Sequence, residues 1–215
     1  MTIPDDLTLW RRAQRADLLA RRMAVQAHQH RLWNDAITAQ LLDGFPSLKK
    51  SMVGFYWPFK AEFDPRFAIH QLRLSGARTA LPVVLQKHAP LEFRAWWPSA
   101  QMTKGVFELP IPDGTEVVWP DALLIPPVGF DAQGYRLGYG GGYFDRTLAT
   151  MSPQPLKIGV AFELSRMRTI RPQPYDIPMD FIVTEAGIHR VDQQRLRIIA
   201  PWQPKRRPDG PASLS

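Results

Sequence analysis

Apolar positions near the N-terminus recur at a helical spacing. Leu18, Leu19 and Met23, then Ile37, Leu41 and Leu42, fall close to a 3.6-residue period, and neither Gly nor Pro interrupts residues 7 to 43. The pattern predicts a long N-terminal helical region from residue 7 to about residue 42, long enough to bend or break near Gln29. The period then changes. Val53-Gly-Phe55-Tyr-Trp57 is an apolar run stopped by Pro58 and predicts a buried strand, residues 67–74 predict a helix, and residues 79–85 and 91–96 predict two more strands. A stretch punctuated by Pro110, Pro112 and Pro120 reads as a loop. Asp121-Ala-Leu-Leu-Ile125 begins as a strand and breaks at Pro126-Pro127, residues 143–148 open another helical pattern, and residues 157–162 and 181–184 are strands. Strands separated by helical patterns predict a three-layer α/β/α domain around a mainly parallel or mixed sheet, with ligands at the carboxyl ends of its strands.

Composition narrows the range of functions. With 215 residues, 45% of them hydrophobic, and no internal repeat, residues 1–200 are expected to form one domain, followed by a basic, Pro-rich, disordered tail over residues 201–215. The absence of cysteine removes disulfides, thiol nucleophiles and thiolate metal sites. No apolar run approaches the ~18 residues of a membrane span, and Asp5 and Asp6 stand where a secretory signal would be apolar, so a cytoplasmic protein is expected. Residues 1–32 hold six Arg against three Asp, and residues 191–215 hold five Lys or Arg against two Asp; the ends therefore supply six of the seven net positive charges. A nucleic-acid surface gathers its cations on one face with aromatics between them, and this distribution argues against one. Scattered histidines give no metal-binding spacing, and most of the seven tryptophans read as packing residues.

The most informative segment is Gly134-Tyr-Arg136-Leu137-Gly138-Tyr139-Gly140-Gly141-Gly142-Tyr143-Phe144-Asp145-Arg146. Alternating glycines let backbone N–H groups turn inward around an anion, and the order strand, glycine run, helix aims a helix N-terminus at a phosphate. The run is not a dinucleotide fingerprint, because Tyr143 stands where the third glycine belongs, and no Gly-Lys-Ser/Thr marks a Walker A loop.

This segment resembles the hallmark of the 5-formyltetrahydrofolate cyclo-ligases, a string like Gly-x-Arg-Leu-Gly-x-Gly-x-Gly-Tyr-Tyr-Asp from which only Phe144 departs. The resemblance extends to Ile125-Pro-x-x-Gly129-Phe130-Asp131, Ala161-Phe162-Glu163 and Asp176-x-x-x-Asp180-x-Ile182-Val183-Thr184-Glu185. It implies ATP-dependent closure of 5-formyltetrahydrofolate to 5,10-methenyltetrahydrofolate. The formyl oxygen takes the γ-phosphoryl group, N10 attacks the activated carbon, and ADP and phosphate leave. Such chemistry calls for positioning and charge neutralisation rather than a nucleophilic side chain.

By the same resemblance, ATP would meet Arg11, Arg15, Arg136, Leu137, Gly138, Tyr139, Gly140, Gly141, Gly142, Tyr143 and Phe144, with Arg136, Tyr143 and Asp145 as catalytic residues. Arg11 replaces the family's usual Lys, and Tyr175 stands where His is commoner. Magnesium would be held by Asp145 and Asp176, with Asp180 a weaker candidate in the same segment. The folate would meet Trp57, Phe59, Glu62, Tyr139, Gly140, Gly141, Gly142 and Tyr143. A flat pterin suits an aromatic wall, and its N–H edge suits a carboxylate. Partners would be these small molecules, the protein being a monomer. Lys104 and Arg146 add charge that spacing alone does not distinguish from surface. Two other classes fit the chain: a non-catalytic nucleotide- or folate-binding regulator, and a basic RNA-associated protein.

Overall fold

In the computed structural model, residues 5–193 and 195–201 are described; the expected disordered tail lies, beyond Pro201, outside them. The chain begins with α1 (Asp5–Met23) and α2 (Ala27–Gly44), followed by β1 (Met52–Gly54), α3 (Arg66–Leu74), β2 (Arg78–Val83) and β3 (Glu92–Trp96). Next come β4 (Met102–Lys104), β5 (Pro110–Pro112), β6 (Ala122–Ile125), β7 (Gly129–Asp131), β8 (Arg136–Leu137) and α4 (Tyr143–Thr150). The chain closes with β9 (Leu156–Val160), β10 (Arg166–Met167), β11 (Phe181–Thr184), β12 (Gly187–Asp192) and β13 (Arg195–Pro201).

The main sheet runs β13-β12-β11-β9-β6-β1-β2-β3. Its inner strands β2, β1, β6, β9 and β11 are parallel, while β3, β12 and β13 add antiparallel edges. Strand β6 shows how both faces are covered. Ala122 and Leu124 join Ile37 and Leu41 of α2 and Ile69 and Leu72 of α3 in one core. Leu123 and Ile125 point the other way, into a second core with Leu148 of α4 and the adjoining Met151. Period-2 alternation in strands meeting period-3.6 faces in helices thus produces the expected three layers.

The N-terminal helix breaks earlier than expected, at residues 24–26 rather than near Gln29. The two halves serve different layers. Leu18 of α1 packs with Val128, Leu137 and Ile170 over a small sheet of order β10-β7-β8, whereas Ile37 and Leu41 of α2 pack on the main sheet. Other differences lie in short elements: the strand expected over residues 53–57 is paired only at Met52–Gly54, and the Pro-punctuated loop contains the β4–β5 hairpin. The small sheet and strands β12 and β13 were not expected.

The parallel order reverses between β1 and β6, since the chain leaves β1 towards β2 on one side and later returns as β6 on the other. Outside the carboxyl ends of strands at such a reversal an open α/β sheet forms its ligand crevice. Residues 55–62 follow β1 and residues 126–142 follow β6, so the aromatic-carboxylate segment and the glycine run converge there.

Candidate active site

Beyond β1, the chain makes a tight turn at residues 59–62. Lys60 (φ 49°) and Ala61 (φ 55°) both occupy the left-handed region, which is uncommon for residues with a Cβ and concentrates at functional sites. Two hydrogen bonds close the turn: Glu62 N–H donates to Phe59 O (3.2 Å), and Phe59 N–H donates to Glu62 Oε2 (2.9 Å). Glu62 is thereby turned inward, only 5% exposed. Its Oε1 accepts from the Tyr139 hydroxyl at 2.7 Å, and the Arg22 guanidinium lies 3.8 Å away.

Arg22, reaching in from α1, ties the surrounding segments together. It donates through Nε to Lys60 O (2.9 Å), through Nη1 to Pro127 O (3.4 Å) and through Nη2 to Tyr139 Oη (2.6 Å). Burial pushes the Glu62 carboxyl up to about 7, against the opposing pull of the Tyr139 hydrogen bond, the Arg22 charge and the Phe59 N–H. Burial and the Glu62 charge also raise Tyr139, which therefore acts as a donor throughout the neutral range. The exposed rings of Phe59 and Tyr139 lie 6.1 Å apart above this carboxylate.

On the other side of Tyr139, the glycine run leads from β8 into α4. Gly140 (φ 97°) and Gly142 (φ 62°) need the left-handed region, and a Cβ on Gly142 would come within 2.9 Å of Arg146 Nη1. Gly142 is the N-cap of α4 and supplies no side-chain cap, so first-turn N–H groups face the run without one. Arg15 donates to Gly138 O at 2.7 Å, and its guanidinium lies 3.5 Å from where a Gly140 Cβ would stand. Burial and the Arg11 charge lower its pKa. Arg146 donates to Gly141 O and covers the Tyr143 ring, whose edge meets exposed Phe107 from the β4–β5 hairpin.

Beneath the run lies a chain of alternating charges. Buried Arg136 donates to Ile177 O (2.7 Å) and pairs with Asp145 Oδ1 at 2.8 Å, and that oxygen also accepts from Ile177 N–H (3.0 Å). Asp176 Oδ2 accepts from Arg11 Nη2 (2.6 Å) and from Gln173 N–H (2.7 Å), while Arg11 also donates to Ile170 O and Arg171 O. Two arginines thus match two neighbouring carboxylates. These bonds fall on Asp145 Oδ1 and Asp176 Oδ2, and two carboxylates form a donor set suited to a magnesium shell completed by phosphate oxygens and water. Among the described residues no group of three or more His, Cys, Asp or Glu forms an all-protein metal cage.

The profile of the 5-formyltetrahydrofolate cyclo-ligase family matches residues 8–185. The chain belongs to this family. Relatives include the 5-formyltetrahydrofolate cyclo-ligase of Escherichia coli K12, 28% identical over 177 residues that cover 78% of this chain and 96% of that protein. The Haemophilus influenzae 5-formyltetrahydrofolate cyclo-ligase is 27% identical over 164 residues, covering 73% and 86%. Among solved structures, Aquifex aeolicus 5,10-methenyltetrahydrofolate synthetase superposes with a TM-score of 0.73 at 29% identity, covering 84% of this chain and 92% of that one. A Mycoplasma pneumoniae 5,10-methenyltetrahydrofolate synthetase gives 0.66 at 25%, covering 81% and 98%.

In this cyclo-ligase family member, α1, the turn after β1 and the glycine run bring Arg15, Phe59, Glu62, Tyr139, Gly140, Gly141, Gly142 and Tyr143 to one crevice. Arg136, Asp145, Arg11 and Asp176 lie together beneath it. Leu137 is buried in the small core with Leu18, and Phe144 packs against the second main-sheet core. Trp57 packs partly buried on the first core with the Arg66 guanidinium 5.1 Å from its ring centroid, whereas Phe59 is exposed. Asp180 stands apart, holding Lys157 N–H and Nζ at the amino ends of β9 and β11, opposite the crevice. Lys104 pairs with Glu108. The sequence reading missed Arg22 and Phe107. Arg22 shares the buried face of α1 with Leu7, Arg11 and Leu18, at steps of four, seven and four residues, and that register was the available signal. Phe107 was marked only by the pair Val106-Phe107 within a Pro-bounded stretch.

Proposed function

We propose that this chain converts 5-formyltetrahydrofolate to 5,10-methenyltetrahydrofolate with conversion of ATP to ADP and phosphate. The observation carrying this reading is the convergence of the glycine run and buried Glu62 at the strand-order reversal between β1 and β6, with Tyr139 of the run bonded directly to Glu62. Backbone N–H groups of residues 138–142 and the first turn of α4 receive the ATP phosphates, with Arg15 alongside. Arg136 holds Asp145 and the Ile177 carbonyl beneath the run, fixing its shape. Glu62 accepts the N–H edge of the pterin, with Phe59, Tyr139 and Tyr143 as aromatic walls and Phe107 closing over Tyr143. Magnesium held through Asp145 and Asp176 would neutralise charge on the transferring phosphoryl group. The protein acts as a monomer in the cytoplasm, with residues 1–200 as one domain.

The test follows methenyltetrahydrofolate absorbance with ATP, magnesium and 5-formyltetrahydrofolate present, each omitted in turn. Product formation that requires all three is expected. A folded protein that binds both substrates without forming product would instead be a regulator, and salt-sensitive RNA binding without folate binding would favour the third class.

A further inference from the structure

Tyr139 belongs to two machines at once. Its backbone lies between Gly138 and Gly140 in the run that receives nucleotide, while its hydroxyl crosses to Glu62, 77 positions away in sequence, at 2.7 Å. Both Glu62 oxygens are engaged: Oε2 by Phe59 N–H, which closes the strained turn, and Oε1 by Tyr139. A carboxylate oxygen can accept a second hydrogen bond, but Glu62 is only 5% exposed, so a donor on an incoming pterin reaches Oε1 only where the Tyr139 hydroxyl moves off it, and vacating Oε2 would undo the turn that presents the carboxylate.

Arg22 holds both sides of this arrangement. One guanidinium donates to Lys60 O in the turn, to Pro127 O after β6 and to the Tyr139 hydroxyl, and its side chain is only 3% exposed. By contrast, the Tyr139 side chain has room to turn, although Arg15 holds the preceding Gly138 carbonyl. A Cβ at Gly138 would meet nothing within 4 Å, Gly140 has φ 97°, and the Tyr139 residue is 43% exposed. The aromatic side chain can therefore move without disturbing the core.

We propose that Tyr139, oriented by Arg22, couples the two substrate sites: nucleotide settling on the glycine run draws the Tyr139 hydroxyl off Glu62 and frees Oε1 for the folate, so that each ligand tightens the other. The inference rests on the reading of the site given above. Arg22 is a positioning residue here, and reciprocity follows from linkage, since the two ligands share one coupling free energy.

Calorimetry of 5-formyltetrahydrofolate binding, with and without a non-hydrolysable ATP analogue and magnesium, measures the coupling. In the parent protein the analogue should tighten folate binding by about tenfold, within the usual range for coupled sites. In Tyr139→Phe the ratio should fall to about one while both ligands still bind, because no hydroxyl remains to be withdrawn. Arg22→Lys keeps the charge but not the fork, and should also lose the ratio; a structural lesion alone would weaken folate binding equally with and without the analogue. A parent ratio near one, or an undiminished ratio in Tyr139→Phe, overturns the coupling and leaves the site assignment standing. A parent that binds no folate overturns both.

Discussion

Replacing Glu62 by Gln should change how folding stability depends on pH. Glu62 has an ordinary value of 4.5 when unfolded and is pushed to about 7 in the fold. Each pH unit of that gap is worth about 1.4 kcal/mol, so keeping the ionised form buried costs about 3 kcal/mol. The sign follows from proton binding. Below pH 4.5 the carboxyl is protonated in both states and contributes no pH dependence. Between 4.5 and about 7 the unfolded chain releases a proton that the folded chain retains, so stability falls as pH rises, and above about 7 the full penalty applies. Glutamine does not titrate. Urea unfolding followed by tryptophan fluorescence, for parent and Glu62→Gln from pH 4.5 to 8, should therefore show the difference moving in favour of the variant by about 3 kcal/mol over that window. The mismatch between a glutamine amide and the Phe59 N–H adds a pH-independent offset, and the raised Glu185 titrates in both proteins and cancels. A difference that stays flat across the window would refute the claim that Glu62 is held in a desolvated, proton-retaining site.

The same Glu62→Gln variant should lose about 1.5 to 3 kcal/mol of folate affinity, the range for hydrogen bonds to charged groups, with ATP affinity little changed by calorimetry. Gly142→Val forces a branched side chain into φ 62° against Arg146, and should abolish turnover and nucleotide binding while circular dichroism stays near that of the parent. Asp145→Asn should raise the magnesium requirement and cut turnover by about two to three powers of ten, equivalent to about 3 to 4 kcal/mol; an unchanged magnesium titration would remove Asp145 from the metal shell. Arg11→Ala leaves the nearly buried Asp176 carboxylate without its guanidinium, and should lower unfolding free energy by about 3 kcal/mol in denaturant titrations.

Apolar runs and helical spacings were readable in the sequence. The parallel strands follow from short apolar runs bounded by Pro, Gly or charge, α3 and α4 from helical spacing, and the left-handed glycines at 140 and 142 are where alternating glycine placed them. Of the unread elements, β7, β8 and β10 have two or three residues each, too few to repeat a pattern, and exist because Asp131 anchors them, whereas β12 and β13 went unread although six and seven residues long. The buried Asp131 carboxylate accepts N–H bonds from Gln133, Tyr135 and Ile170, a convergence visible only after folding. Arg22 was hidden for a different reason. An arginine on an apolar helix face looks like an interruption unless its carbonyl and carboxylate partners, far away in sequence, are known. Tyr139 occupied an open position in the glycine pattern, so no motif pointed to its bond with Glu62.

Helix α1 presents Arg11, Arg15 and Arg22 inward from one rigid element, each to a different client: the Asp176 segment, the glycine run and the turn at residues 59–62. At 1.5 Å per residue, Arg11 and Arg22 stand about 16 Å apart along the axis. The helix is in effect a gauge, and its graduations are rotational as well as linear. A point change removes one mark, but a single residue inserted between Arg15 and Arg22 turns every later mark by about 100°, swinging the third guanidinium away from its clients while the first two stay in place. Chains descended from this one are therefore free to exchange exposed residues along α1 and closely bound in its length between residues 11 and 22.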